Sequence, residues 1–154
     1  MYQKIMVPLD GSDLAECVLP HVEAIAMGCE VSNVTFVRTV EPFQLPSAAE
    51  WVPTPEERQR IESSHRSDAQ DYLNQLVGRL KYDGVNLQTE VIMGKAAESL
   101  ADYAEKNGVD LIIIATHGRS GVSRWVWGSV ADRILRSACV PVLMVRAPGC
   151  VPGI

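Results

Sequence analysis

Five short runs of apolar residues punctuate the chain. Between them lie longer stretches in which apolar residues recur every three or four positions. The runs are Ile5 to Leu9, Val31 to Val40, Val85 to Met93, Leu111 to Ala115 and Val140 to Arg146. Their length and their share of β-branched residues predict strands, and the unbroken Leu-Ile-Ile-Ile-Ala of the fourth predicts burial on both faces. The third alternates instead, with Val85, Leu87, Thr89, Val91 and Met93 at every second position. The stretches between follow the helical period. Asp13 to Met27 carries Leu14, Val18, Val22 and Ile25 on one stripe, and Gly28 is expected to close it. Pro20 falls inside and predicts a kink in one unsplit helix. Pro55 to Leu80 is a longer helix with Thr54 as its cap, Glu56 and Glu57 early, and Ile61, Tyr72, Leu73, Leu76 and Leu80 apolar. Helices are also predicted from Gly94 to Asn107 and from Gly128 to Ser137.

Strands alternating with helices predict an α/β fold, a parallel doubly wound sheet with right-handed crossovers, as a single domain over residues 1–147. Pro141 in the fifth run argues for an edge strand, and an apolar edge needs a partner. The tail, residues 148–154, is expected to be poorly ordered. Glu41 to Pro55 breaks every pattern, with prolines at 42, 46, 53 and 55, and reads as a loop bordering the site. Trp51 within it is expected to pack the loop down rather than to cover a bound base.

Composition narrows the function. With 47% hydrophobic and 21% charged residues over 154 positions the chain has the makeup of an ordinary globular domain, not of a disordered one. A net charge of −5 argues against sequence-independent nucleic-acid binding, which needs a basic face. No apolar run approaches the roughly 20 residues of a membrane span, and the N-terminus lacks a secretory pattern, which together predict a cytoplasmic protein. Cys17, Cys29, Cys139 and Cys150 have no metal-ligand spacing and are expected to be free thiols.

Candidate chemistry gathers after the fourth run. Thr116 to Gly121 is a loop, and Gly128-Ser129 precedes a helix with Asp132 in its first turn. Backbone N–H groups at a helix start, with glycines allowing close approach, form an anion site, and Arg119 adds a fixed charge. An ordinary strand-to-helix connection has the same outline. Asp10, in Asp10-Gly11-Ser12, stands where a parallel strand opens into a ligand crevice, but it also suits a simple turn or cap. Gly94-Lys95 is not a P-loop, because the earlier glycine and the following Ser/Thr are missing, and Lys95 is expected to face solvent. His65 has no ligand partner at helical spacing and reads as solvated. Trp125 and Trp127 suit either a hydrophobic lid or core packing.

Ala115-Thr-His-Gly118, then nine residues, then Gly128-Ser129 resembles the nucleotide-loop signature of the universal stress protein family, Gly-x-x-Gly-x9-Gly-[Ser/Thr]. Ala115 stands in place of the first glycine, a departure that is cheap only if the backbone there is extended. The similarity runs from Lys4-Ile-Met-Val-Pro-Leu-Asp-Gly-Ser12 to Pro141-Val-Leu-Met-Val-Arg146. The resemblance implies an adenine nucleotide alpha hydrolase-like sheet of order 3-2-1-4-5 and a site for ATP, AMP or another adenine nucleotide. It places adenine against Arg38, Thr39 and Val40, with Met93 and Gly94 touching the nucleotide. Ribose or a nucleotide-bound Mg²⁺ would meet Asp10 behind Pro8 and Leu9. The phosphates would lie on the loop of Ala115, Thr116, His117, Gly118, Arg119 and Gly121 and on Gly128, Ser129 and Val130. It also implies a homodimer paired through strand 140–146 and regulation of an unidentified protein partner in a stress response.

Two other readings compete with this one. A slow ATPase or phosphotransferase would use Asp10, Thr116 and His117, though no general base stands beside a nucleophile. A nucleotide-free interaction module is the family's other branch, and such members lose the glycine loop. A phosphorelay receiver is excluded, because Met93 occupies the region where its aspartate would be.

Overall fold

The computed structural model describes residues 1–48, 50–116 and 128–148. Its five strands are β1 (Lys4–Pro8), β2 (Asn33–Val40), β3 (Asn86–Met93), β4 (Leu111–Ala115) and β5 (Val142–Val145). They form one parallel sheet in the order β3-β2-β1-β4-β5. The helices are α1 (Leu19–Gly28), α2 (Pro55–Arg79), α3 (Ala96–Lys106) and α4 (Ser129–Ser137).

Alternation along each central strand divides the core in two. Ile5, Val7, Phe36 and Ile113 pack on one face with Val18, Val22 and Ala26 and with Ala69, Leu73 and Leu76 of α2. Met6, Val37, Ile112 and Ile114 pack on the other with Ala97, Leu100 and Ala104 of α3 and Ala131 and Ile134 of α4. All five residues of β4 are buried, as its unbroken apolar run requires. β5 lies at the edge, where Pro141 has no ladder bond to break on its outer side.

The helix expected over Asp13–Met27 is split. Ala15–Val18 form a 3-10 turn, and α-helical bonding starts at Leu19. Pro20 is the cause: lacking an N–H, it is tolerated in a first turn and disruptive in an interior, so the α-helix begins around it. The buried stripe accordingly runs Ala15, Val18, Val22, Ala26, while Leu14 and Ile25 are only half-buried. Gly28 does not supply the left-handed exit. Glu30 does, at φ 52°, and the Val31 N–H then closes the helix onto the Ala26 carbonyl at 3.0 Å. At α2 the expected cap is present: the Thr54 hydroxyl accepts from the Glu57 N–H, and the Glu57 carboxylate accepts from the Thr54 N–H. Lys95 and His65 are exposed.

Trp51 departs from expectation. It is 57% exposed, beside Val52 at 64%, and the loop is instead held by the buried Pro53 and by the Phe43 N–H donating to Glu62. A proline ring close to the start of α2 anchors the segment, so the indole need not. Cys17, Cys29 and Cys139 are free thiols, and burial pushes the Cys17 thiol up. Among the described residues no helix is long and apolar enough to cross a membrane. Trp125, Trp127, Cys150 and nearly all of the expected tail lie outside the described residues.

Candidate functional site

Strand register sets the geometry of the crevice. Pro8 of β1 pairs with Val37 of β2, and Met6 pairs with Ile112 of β4. Continued past the paired residues, these offsets put Asp10 level with Thr39 and with Thr116. On the outer side Thr39 pairs with Ile92, and Val40 with Met93. Candidate residues far apart in the chain thus stand in one row at the carboxyl ends of β3, β2, β1 and β4. The connections after β1 and β4 lead to opposite faces of the sheet, since α1 packs on one face and α4 on the other. That is the topological switch point at which open α/β sheets hold ligands.

Backbone bonds tie the row together. The Leu9 N–H donates to the Val37 carbonyl at 2.8 Å, holding the end of β1 beside β2 one residue before Asp10. The Gly94 N–H donates to the Val40 carbonyl at 2.9 Å, bringing the exit of β3 against the residues expected to meet adenine. Gly94 sits at φ +150°, and a Cβ there would approach the Ser99 Oγ to 2.4 Å, so glycine suits the position on both counts.

Asp10 heads a compact turn. Its Oδ1 accepts from the Ser12 N–H at 2.9 Å and from the Ser12 hydroxyl at 2.6 Å, and the Ser12 Oγ accepts from the Ala15 N–H at 3.2 Å. The aspartate is therefore a turn residue and a crevice residue at once. One oxygen orients the side chain and fixes the direction in which its charge faces. Gly11 makes the turn at φ +85°. Asp10-Gly11-Ser12 thus forms the turn its sequence signals, with Ser12 donating to Asp10 and accepting from the Ala15 N–H ahead of the helix.

Thr116 is buried immediately after β4, its N–H donating to the Val145 carbonyl at 2.8 Å. The Gly128 N–H returns to the Thr116 carbonyl at 2.6 Å, so the start of α4 is fastened to the end of β4. Gly128 is the cap of α4 and has no side chain with which to satisfy the helix's first N–H groups. Ser129 and Val130 head the helix, whose geometry leaves its first amides without intrahelical acceptors and makes its start attractive to an anion. Ala115 is the last residue of β4, in extended backbone, which is the condition under which alanine replaces glycine cheaply. His117, Gly118, Arg119 and Gly121 lie outside the described residues.

Arg38 directs its side chain to the α2 face of the sheet. It shares the parity of Phe36, which faces α2, and its guanidinium carbon lies 5.3 Å from the centroid of the Tyr72 ring. The Tyr72 hydroxyl donates to Glu16 at 2.9 Å, and Glu16 also pairs with Arg79. Burial, and after it the Glu16 carboxylate, push the Tyr72 hydroxyl well above the ordinary tyrosine range. A cavity of about 400 Å³ lies elsewhere, between α3 and the turn into β5, lined by Asp102, Glu105, Val109 and Cys139, and includes none of these residues.

The model of the universal stress protein family matches residues 1–146 of this sequence. The chain belongs to the universal stress protein family. This universal stress protein is 33% identical over 151 residues to universal stress protein MJ0531 of Methanocaldococcus jannaschii, across 96% of this chain and 84% of that one. Its fold superposes on the structure of the MJ0577 protein with a TM-score of 0.84 and 25% identity, over 97% of this chain and 99% of that one. Two more distant members share the fold. One is a universal stress protein solved in complex with cAMP, with a TM-score of 0.67 and 19% identity over 94% of this chain and 97% of that one. The other, from Arabidopsis thaliana, was solved with AMP bound, with a TM-score of 0.65 and 14% identity over 96% of this chain and 93% of that one. The parallel five-stranded sheet and its order are as the sequence resemblance implied.

Proposed function

We propose that this universal stress protein binds an adenine nucleotide, ATP or AMP, at the switch point, and acts as a binding protein and not as a turnover enzyme. The observation that carries this reading is the row of Asp10, Thr39 and Thr116 at the strand ends, with the start of α4 fastened to Thr116. A helix start supplies the anion-binding end, a carboxylate the hydroxyl- or Mg²⁺-binding end, and the ends of β2 and β3 an edge against which a base rests. The relatives with cAMP and AMP bound support the same ligand class. In this reading Pro8, Leu9 and Asp10 meet the ribose, and Arg38, Thr39 and Val40 offer backbone to adenine beside Met93 and Gly94. The loop from Ala115 and Thr116 through His117, Gly118, Arg119 and Gly121 to Gly128, Ser129 and Val130 takes the phosphates. Where Mg²⁺ accompanies the nucleotide, Asp10 is the residue to face it.

The proposal extends to assembly. β5 leaves an edge on which Leu143 is 36% exposed and Val142 and Met144 are half-buried, and pairing with a second copy would cover it. The nucleotide-bound dimer would regulate a protein partner in the cytoplasm, where free thiols persist.

Calorimetric titration of ATP, AMP and cAMP into wild type and Gly118→Val, with Mg²⁺ present, tests the binding step. Micromolar binding lost in the variant supports it. No binding of any of the three by wild type refutes it and leaves the nucleotide-free module. Phosphate release above background that disappears in His117→Ala favours the ATPase. Sedimentation of Leu143→Lys as a monomer, against a wild-type dimer, tests the assembly.

A further inference from the structure

We propose that Arg38 is the positioning residue of the Asp10–Ser12 turn: its guanidinium, set against both the Tyr72 ring and the Cα of Gly11, holds Asp10 at the height of the strand-end row. The effect on nucleotide affinity rests on the binding reading above, whereas the clamp itself rests on geometry alone. A Cβ built on Gly11 would lie 3.0 Å from Arg38 Cζ, 3.0 Å from Nη1 and 3.2 Å from Nη2, so the flat cation covers the glycine Cα. The same guanidinium lies over the Tyr72 ring, its carbon 5.3 Å from the ring centroid. Tyr72 is held in turn. Its hydroxyl donates to Glu16 on the 3-10 turn that follows Asp10–Ser12, and Arg79 at the end of α2 grips the same carboxylate. The path closes on itself: α2 grips Glu16 and, through the Tyr72 ring and Arg38, the turn just upstream. Arg38 thus acts through Asp10 from behind the sheet.

The residue types follow from this contact. Glycine suits position 11, because φ is +85°, where an L side chain is strained, and its bare Cα lets the guanidinium lie close. Arginine offers a flat cation that meets the Tyr72 ring and the Gly11 Cα together, so lysine at position 38 keeps the charge and loses that plane.

The test uses amide hydrogen exchange followed by NMR in the nucleotide-free protein, together with calorimetric titration of Mg·ATP. The reporters are Ser12, whose N–H is held by Asp10, and Ala15, whose N–H is held by Ser12. Tyr72→Leu removes the aromatic platform, Tyr72→Phe keeps it, and Arg38→Lys removes the plane. The Leu and Lys variants are expected to exchange Ser12 and Ala15 about threefold to tenfold faster, with β4 amides unchanged, and to bind ATP weaker by a similar factor. Tyr72→Phe keeps the ring and loses only its tether to Glu16, and is expected to lie closer to wild type than to Leu in both. Unchanged exchange at Ser12 and Ala15 in the Leu variant, or a Phe variant indistinguishable from Leu, overturns the clamp. Faster exchange with unaltered ATP affinity overturns the positioning role. A wild type that binds no ATP refutes the nucleotide reading, while the exchange data still decide the clamp. If Arg38→Lys fails to fold, the Tyr72 pair carries the comparison.

Discussion

Replacing Asp10 by asparagine and by alanine separates its two duties. The Oδ1 atom accepts two hydrogen bonds, from the Ser12 N–H at 2.9 Å and the Ser12 hydroxyl at 2.6 Å. Hydrogen bonds to a charged acceptor contribute about 1.5–3 kcal/mol each, and neutral ones about 0.5–1.5 kcal/mol. The turn is only part-buried, so the lower ends apply. Alanine loses both bonds and is expected to cost about 3 kcal/mol. Asparagine keeps an acceptor in the same place and loses only the charge assistance, about 1 kcal/mol per bond and about 2 kcal/mol in all. Equilibrium urea unfolding resolves the difference: a gap of about 1 kcal/mol moves the midpoint by roughly 0.5 M at an ordinary slope for a small domain. Asparagine and alanine variants equal within about 0.5 kcal/mol would refute the argument that acceptor geometry holds the turn. Asparagine also reports on the ligand. If Asp10 acts through nucleotide-bound Mg²⁺, Asp10→Asn weakens ATP binding with Mg²⁺ present and leaves it unchanged in EDTA. If Asp10 instead meets ribose hydroxyls, the loss is the same in both.

Three further outcomes follow from the packing. Tyr82 is 7% exposed, and burial, then the charge of Glu23, push its hydroxyl up from 10 to about 12. The neutral form is favoured by folding, so this contribution is complete below pH about 10 and is lost as pH rises through about 12, a total of about 3 kcal/mol. Urea midpoints should fall across that window and fall less in Tyr82→Phe; equal slopes would refute it. Thr54→Ala should cost about 1 kcal/mol in urea, and adding Glu57→Ala should cost less than the sum of the two, because the pair caps reciprocally. Phe36→Ala removes a fully buried ring from the α2 side of the core and should cost about 3–5 kcal/mol by the same measurement.

Much of this architecture is legible from one dimension because its signals are local. An unbroken Leu-Ile-Ile-Ile-Ala run has few ways to bury itself other than as a central parallel strand, and Pro141 admits an edge but not a centre. Thr54, Pro55 and Glu57 announce the start of α2 within four residues. What escaped depends on contacts between segments or on competition between local rules. Pro20 is a defect inside a helix by local rule alone, whereas the chain makes it a beginning by changing helix type ahead of it. Gly28 has the residue type of a usual exit, yet the Val31 bond to Ala26 is made with Glu30 in the left-handed position, because the helix includes Gly28 and its exit falls two residues later. Trp51 was read by the average behaviour of tryptophans in loops, and nothing in its neighbours betrayed that Pro53 does the anchoring.

The candidate site shows the same division more sharply. Each of its residues was visible singly: a strand-end aspartate, a polar pair closing β2, a glycine after β3, a glycine-serine before α4. Their convergence is a property of register. Offsets of 29 residues between β1 and β2 and of 106 between β1 and β4 bring Asp10, Thr39 and Thr116 to one level. No periodicity in the sequence encodes those offsets; they are set by the lengths of the crossovers and by which apolar side chains interlock on each face. Arg38 marks the limit of reading strand ends alone. Its neighbour Thr39 faces the α3 side and the backbone there borders the crevice, while its own side chain runs behind the sheet to Gly11 and Tyr72. A residue read in sequence for its backbone thus carries, in three dimensions, a side chain packed against the turn that bears Asp10.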